Sequence, residues 1–224
     1  MRKILLITFS SLLLTSCGAS KFLTSSTSSN EIRELKYFEP LSYVQYIEKG
    51  NKPVLSDSLS NITQTKLDSI LENSKSTLRL TEKLLFDNDT IKARIENELG
   101  YLSQLIAKRR KLDGIPITPI IDSVLKSNNQ RFVLATVATG FGRRKGNYGG
   151  QLAKGAAIGI LTLGMYVPTP IKSNLTLHAF IFDSEKNEIA FYKRSMPLEK
   201  EPTGPEIIKK QLIGLFNGYF YEKK

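Results

Sequence analysis

Apolar positions follow two rhythms along the chain, one of period two and one near 3.6. Leu41–Ile47 (LSYVQYI) is β-rich and runs into Gly50-Asn51, a strand ended by a turn. Leu59, Ile62, Leu67, Ile70 and Leu71 then share one helical face behind Ser56 or Asp57 as cap. Residues 77–86 are a second strand candidate. Asp87-Asn88-Asp89 opens a long helix with Ile91, Ile95, Leu99, Leu102 and Ile106 on one stripe, stopped by Asp113-Gly114. Thr118-Pro119, a cap residue followed by proline at the first helical position, starts a short helix carrying Ile120, Ile121, Val124 and Leu125. Residues 132–139 (FVLATVAT) are apolar on both faces, which suits a central strand covered on both sides. Residues 175–182 and 189–194 form a hairpin, and Gly204-Pro205 opens a last helix with Ile208, Leu212, Leu215, Phe216 and Tyr219 on one side. The predicted order is β-α-β-α-α-β-β-β-α. It describes an α/β fold with one mixed β-sheet packed by helices. Leu134, Val137, Leu177, Phe180, Leu212 and Phe216 are expected in its core.

One segment breaks both rhythms. Residues 140–164 hold eight of the 15 glycines, and the insertion extends to residue 173. Connections of this length are uncommon and often functional. Its first half, 140–150, reads as a polar, basic, flexible loop with Arg143, Arg144 and Lys145 as candidate anion contacts. Its second half, 153–167, is nearly apolar. Gly155 and Gly159 stand four apart and permit close backbone approach on a helix. Gly155, Ile158, Gly159, Ile160, Leu161, Leu163 and Met165 are the candidate membrane or self-association contacts. The competing expectation is that residues 156–167 fold back as a buried edge strand or short helix of the core. A phosphate-binding loop is a weak third reading, because Gly140-Phe141-Gly142 is followed by its next glycine, Gly146, one residue late for GxGxxG.

The amino terminus carries an address. Arg2 and Lys3 precede a short apolar run, and Leu14-Thr15-Ser16-Cys17 follows. The pattern is that of a secretory signal, too short for a comfortable membrane span. Leu-Thr-Ser-Cys resembles the lipobox of bacterial lipoproteins. That resemblance implies cleavage before Cys17 and a covalent lipid on its thiol, the only cysteine of the chain. Glycine rather than aspartate follows, which in that family implies the outer membrane. The expected placement is lipid-anchored and periplasm-facing, although the residues themselves do not fix the face. The expected division is a signal peptide over 1–16, a lipidated flexible tether over 17–34 and one domain over 35–224. The Thr/Ser run at 24–29 cannot order itself by apolar burial.

Charge and chemistry narrow the function. The chain holds 32 basic residues against 21 acidic, and cleavage removes only Arg2 and Lys3. In an envelope protein this balance favours anionic lipid headgroups, lipopolysaccharide or an acidic protein over nucleic acid. A lipidated Cys17 leaves no thiol for a disulfide. His178 is the sole histidine, so a His/Cys metal site lacks ligands and no G-x-S-x-G elbow exists for a triad. No cofactor is expected beyond the lipid. A calcium loop from Asp87 fails because Ile91 and Ile95 stand where oxygen ligands are needed; Asp87-Asn88-Asp89 reads instead as a helix cap. The element order is similar to the α/β domain of the CsgG-like curli-secretion lipoproteins and the related TolB amino-terminal domain, which implies an assembly or secretion component with a protein partner or homo-oligomeric state. The leading expectation is a non-enzymatic outer-membrane lipoprotein acting through protein or membrane contacts. A periplasmic ligand- or polysaccharide-binding module using Arg143 and Arg144 is second, and a carboxylate-dependent hydrolase third.

Overall fold

The computed structural model describes residues 22–86, 88–163 and 165–221. At its centre is β6 (Phe132–Arg143), which pairs antiparallel along most of its length with β7 (Asn174–Asp183). The next strand, β8 (Glu188–Arg194), returns beside β7. The other side of β6 is shared by two strands in succession. β2 (Leu35–Phe38) runs parallel to its first half, with Tyr37 opposite Leu134. β3 (Leu41–Ile47) runs parallel to its second half, from Leu41 opposite Val137 to Ile47 opposite Arg143. The register slips by one residue between them, at Glu39-Pro40, where proline has no N–H to give a ladder. β5 (Leu80–Leu84) lies parallel to β2, and β4 (Val54–Leu55) antiparallel to β3. β1 (Leu23–Thr24) closes the far edge on β8. The result is one eight-stranded mixed sheet, the α/β class that the periodicity predicts.

Helices cover both faces. α1 (Asp57–Asn73), the single turn α2 (Lys75–Leu78) and α6 (Pro205–Leu215) pack on one side, and α3 (Asp89–Arg109) and α4 (Pro119–Ser127) on the other. Alternation along β6 feeds both cores: Leu134 and Ala138 face the first layer, Val133, Ala135 and Val137 the second. All six residues expected in the core are buried.

Several sequence expectations need correction. The strand expected over 77–86 is shorter, because α2 occupies its start and Arg79 turns through the left-handed region (φ 57°) before β5. The loop expected over 140–150 is not a loop throughout. β6 runs through Gly140 to Arg143, and a further helix, α5, covers Asn147–Leu161. Gly140 lets that extension pass β7: a Cβ there would lie 2.2 Å from the Asn174 carbonyl oxygen. Residues 22–34, expected as tether, are folded onto the sheet. The Thr27 hydroxyl lies 2.9 Å from Asp183 Oδ2 and 2.8 Å from Glu188 Oε1, Ile32 is fully buried, and the Phe22 ring meets Phe191 and Tyr219. The order comes from hydrogen bonds to acidic residues more than 150 positions away. Residues 1–21, with Cys17 and the signal segment, lie outside the described residues, as do Asp87, Gly164 and 222–224.

Candidate functional site

α5 leaves the sheet at the carboxyl end of β6, and the chain returns through residues 165–173 to β7. No described residue between 147 and 171 belongs to either core cluster. The base of this hairpin is tied down by Arg143. Its Nε donates to the Ile171 carbonyl at 2.7 Å, and its Nη1 donates to the Gly50 carbonyl at 3.0 Å and to Asn147 Oδ1 at 2.9 Å. Arg143 is therefore committed to backbone and amide oxygens. Arg144 faces Glu48 at 3.6 Å, and both residues are exposed. Arg143, Arg144 and Lys145, the three candidate anion contacts, line with Tyr148, Lys172 and Glu201 an open depression of about 410 Å³.

Gly155 and Gly159 are buried, and what covers them is the chain's own return segment. A Cβ on Gly155 would lie 2.3 Å from the Pro168 carbonyl oxygen, and one on Gly159 would lie 2.8 Å from Val167 Cγ2. The close approach that the glycine spacing permits is thus made inside the hairpin. The turn is closed by Thr162. Its hydroxyl lies 2.9 Å from the Ile158 carbonyl and 3.1 Å from that of Tyr166, and it accepts the Tyr166 N–H at 3.2 Å. The Leu163 N–H donates to Ile160 and that of Met165 to Thr162.

The outside of the tip is apolar and bare. Ile160 is 78%, Leu161 83%, Leu163 90% and Met165 86% exposed, and Ile158, Tyr166, Val167 and Ile171 are exposed as well. Residues 156–167 are therefore not a buried part of the core. A soluble surface seldom gathers so many large apolar side chains in one place. Leu163 also sits in the left-handed region (φ 52°), where a non-glycine residue costs about 1–2 kcal/mol. Among the described residues, no helix is long and apolar enough to cross a membrane.

A second feature lies inside the domain, between α3 and the sheet. Tyr43, Glu96, Ser103, Gln104, Thr139 and His178 line a cavity of about 260 Å³. His178 Nδ1 lies 3.0 Å from the Tyr192 hydroxyl. Burial, assisted by the charge of Arg194, pushes its pKa down to about 4, so the ring is neutral at ordinary pH. Burial and then Glu96 push the Tyr43 hydroxyl up. The described residues contain no cluster of three or more His, Cys, Asp or Glu arranged to hold a metal.

Of two helix caps made by side chains here, one was missed in the sequence. Glu98 accepts the backbone N–H groups of Ile120 and Ile121, each at 3.0 Å, so α3 caps α4 from outside while the Thr118 side chain makes no cap bond. Asn88 caps α3 through the Ile91 N–H at 2.9 Å. Only the second is visible locally, as an Asn before an apolar stripe.

No protein-family model matches the sequence, and no curated protein matches it. Among solved structures the chain is similar to the PelC dodecamer from Paraburkholderia phytofirmans. For the form in space group P6 the identity is 5% and the TM-score 0.38, over 92% of this chain and 99% of that one. For a point variant in space group C2 the values are 6% and 0.39, over 89% and 96%.

Proposed function

We propose that this chain is a lipid-anchored, non-enzymatic protein of the outer membrane that works through contacts made by the α5 hairpin. The observation that carries the reading is the bare apolar tip, held on a base that Arg143 fastens to three oxygens of the chain. The domain does not depend on the tip for its core, so the tip's apolar residues are available for something outside the molecule. The lipobox-like Leu14-Thr15-Ser16-Cys17 supports the anchor and its address. Envelope fractionation with metabolic palmitate labelling tests this: label on the wild-type chain in the outer-membrane fraction, and none on Cys17→Ser, is the expected result. A labelled Cys17→Ser chain, or recovery in the inner membrane, speaks against it. The cavity around His178, whose walls include Leu41, Leu99 and Val137 beside its few polar groups, favours one alternative, a module that binds a small, largely apolar ligand.

A further inference from the structure

The hairpin has a charge as one-sided as its apolarity. Residues 140–173 contain Arg143, Arg144, Lys145, Lys154 and Lys172 and no acidic residue; from other segments Glu48 faces Arg144 and Glu201 shares the depression at the base, below Lys154 on α5. Lys154 lies on the exposed face of α5, seven residues and about 10 Å of helix before Leu161. An apolar end followed by a cationic stem matches a surface that is apolar inside and anionic at its boundary. The turn meets the other demand of such a surface, that polar groups find partners within the chain. Thr162 and the N–H groups of Leu163, Met165 and Tyr166 do so. Leu163 adds a third point. A glycine would take its φ without strain, yet the position carries a large apolar side chain exposed to solvent.

The direction of the chain says which lipid surface. β1 runs antiparallel to β8, so its amino-terminal end, at Leu23, faces the end of the sheet at which β6 finishes and α5 leaves. We infer that the α5 tip inserts into the phospholipid leaflet that carries the lipid of Cys17, an inference that rests on the lipidation reading above. The two attachments are staggered. Leu23 is level, through Tyr192 and Phe180, with Ala135, eight residues of β6 before Arg143, or about 26 Å. Cys17 lies five residues before Phe22, a reach of at most about 18 Å. With the tip inserted, the sheet therefore stands obliquely on the leaflet.

The chain has no tryptophan, so Leu161→Trp is a sole reporter. The full acylated chain is reconstituted into vesicles of phosphatidylethanolamine and phosphatidylglycerol. Emission shifted to the blue, and quenched when the acyl chains are brominated, is the expected result. Tyr101→Trp, on exposed α3, should stay water-like. Ile160→Asp in the Leu161→Trp background should lower quenching by roughly tenfold without lowering the melting temperature. Leu163→Gly should weaken insertion while keeping the turn. Water-like, unquenched emission from vesicle-bound acylated protein overturns the insertion. So does a blue shift that grows with protein concentration in the absence of lipid, which would assign the tip to a second copy of the chain. The mass of the amino-terminal lipopeptide is read separately. An unmodified Cys17 sinks the lipidation reading by itself, and emission with added vesicles still decides the insertion.

Discussion

Gly159 on α5 and Val167 on the return segment approach so closely that a Cβ on the glycine would stand 2.8 Å from Val167 Cγ2. The pair holds the two arms of the hairpin together. Gly159→Leu is therefore expected to spread the arms, and Gly155→Leu to do so more strongly, because there the obstacle is the Pro168 backbone rather than a side chain. Limited proteolysis should cut both variants faster between residues 150 and 170. Both should keep the melting transition of the sheet, whose cores contain no hairpin residue.

Core and tip should respond oppositely to substitution. Leu134 is fully buried, and Leu134→Ala should cost roughly 2–5 kcal/mol. Ile160 is mostly exposed, and Ile160→Asp should change stability by less than about 0.5 kcal/mol. Denaturant melts of the two variants check the contrast. A large loss for Ile160→Asp would mean that the tip is packed against the domain.

His178 gives the domain a mild acid sensitivity. Its folded pKa, about 4, lies below the unfolded value of about 6.5, so the unfolded chain binds the proton first. Stability is full above pH 6.5 and falls as pH drops from there toward 4, by up to roughly 3 kcal/mol. The single imidazole should show no titration shift above about pH 5 by NMR. His178→Gln should flatten the stability curve across this window.

Residues 22–34, the strap that lies across the sheet edge, should loosen at lower pH. Burial of Asp183 opposes its ionisation, but the bonds from Arg131 and Thr27 outweigh it and hold the carboxyl below its usual range. Burial likewise opposes the ionisation of Glu188, but hydrogen bonds from Thr27 and Ser26 overcome it and lower the carboxyl. A depressed carboxylate contributes stability that is present above its unfolded pKa, about 4, and lost as pH falls through the folded value. Hydrogen exchange at residues 23–32 should accelerate below about pH 4 while β6 stays protected. Asp183→Asn should expose the strap at neutral pH, and Arg131→Ala should cost roughly 3 kcal/mol, since it leaves the buried Asp183 charge without its partner.

Much of this architecture was legible locally. α3 carries Ile95, Leu99, Leu102 and Ile106 on one buried stripe, and the run at 132–139 is buried on both faces. A period of 3.6, or a doubly apolar run, reports burial directly, because each side chain's fate follows from its neighbours in sequence. α6 was legible for the same reason, as was the Asn88 cap, made three residues on. The conspicuous glycine spacing at Gly155 and Gly159 was legible too, and so was the apolar run around it.

What covers those glycines was decided only by the tertiary structure. A four-residue glycine spacing says that something approaches closely; it does not say whether that is Val167 eight residues on or another molecule. The strap and the Glu98 cap are alike in this. Thr27 finds Asp183 across 156 positions, and Glu98 finds Ile120 and Ile121 across a helix packing. Ser and Thr have little apolar area to bury, so their order depends on a distant acceptor that carries no mark in the local sequence. The sequence by itself determined the periodic elements, the two-faced central strand and the one-sided charge of the hairpin. Only the folded chain decided that the hairpin glycines Gly155 and Gly159 face inward, that its large apolar side chains face out, and that β1 starts toward the end of the sheet from which α5 leaves.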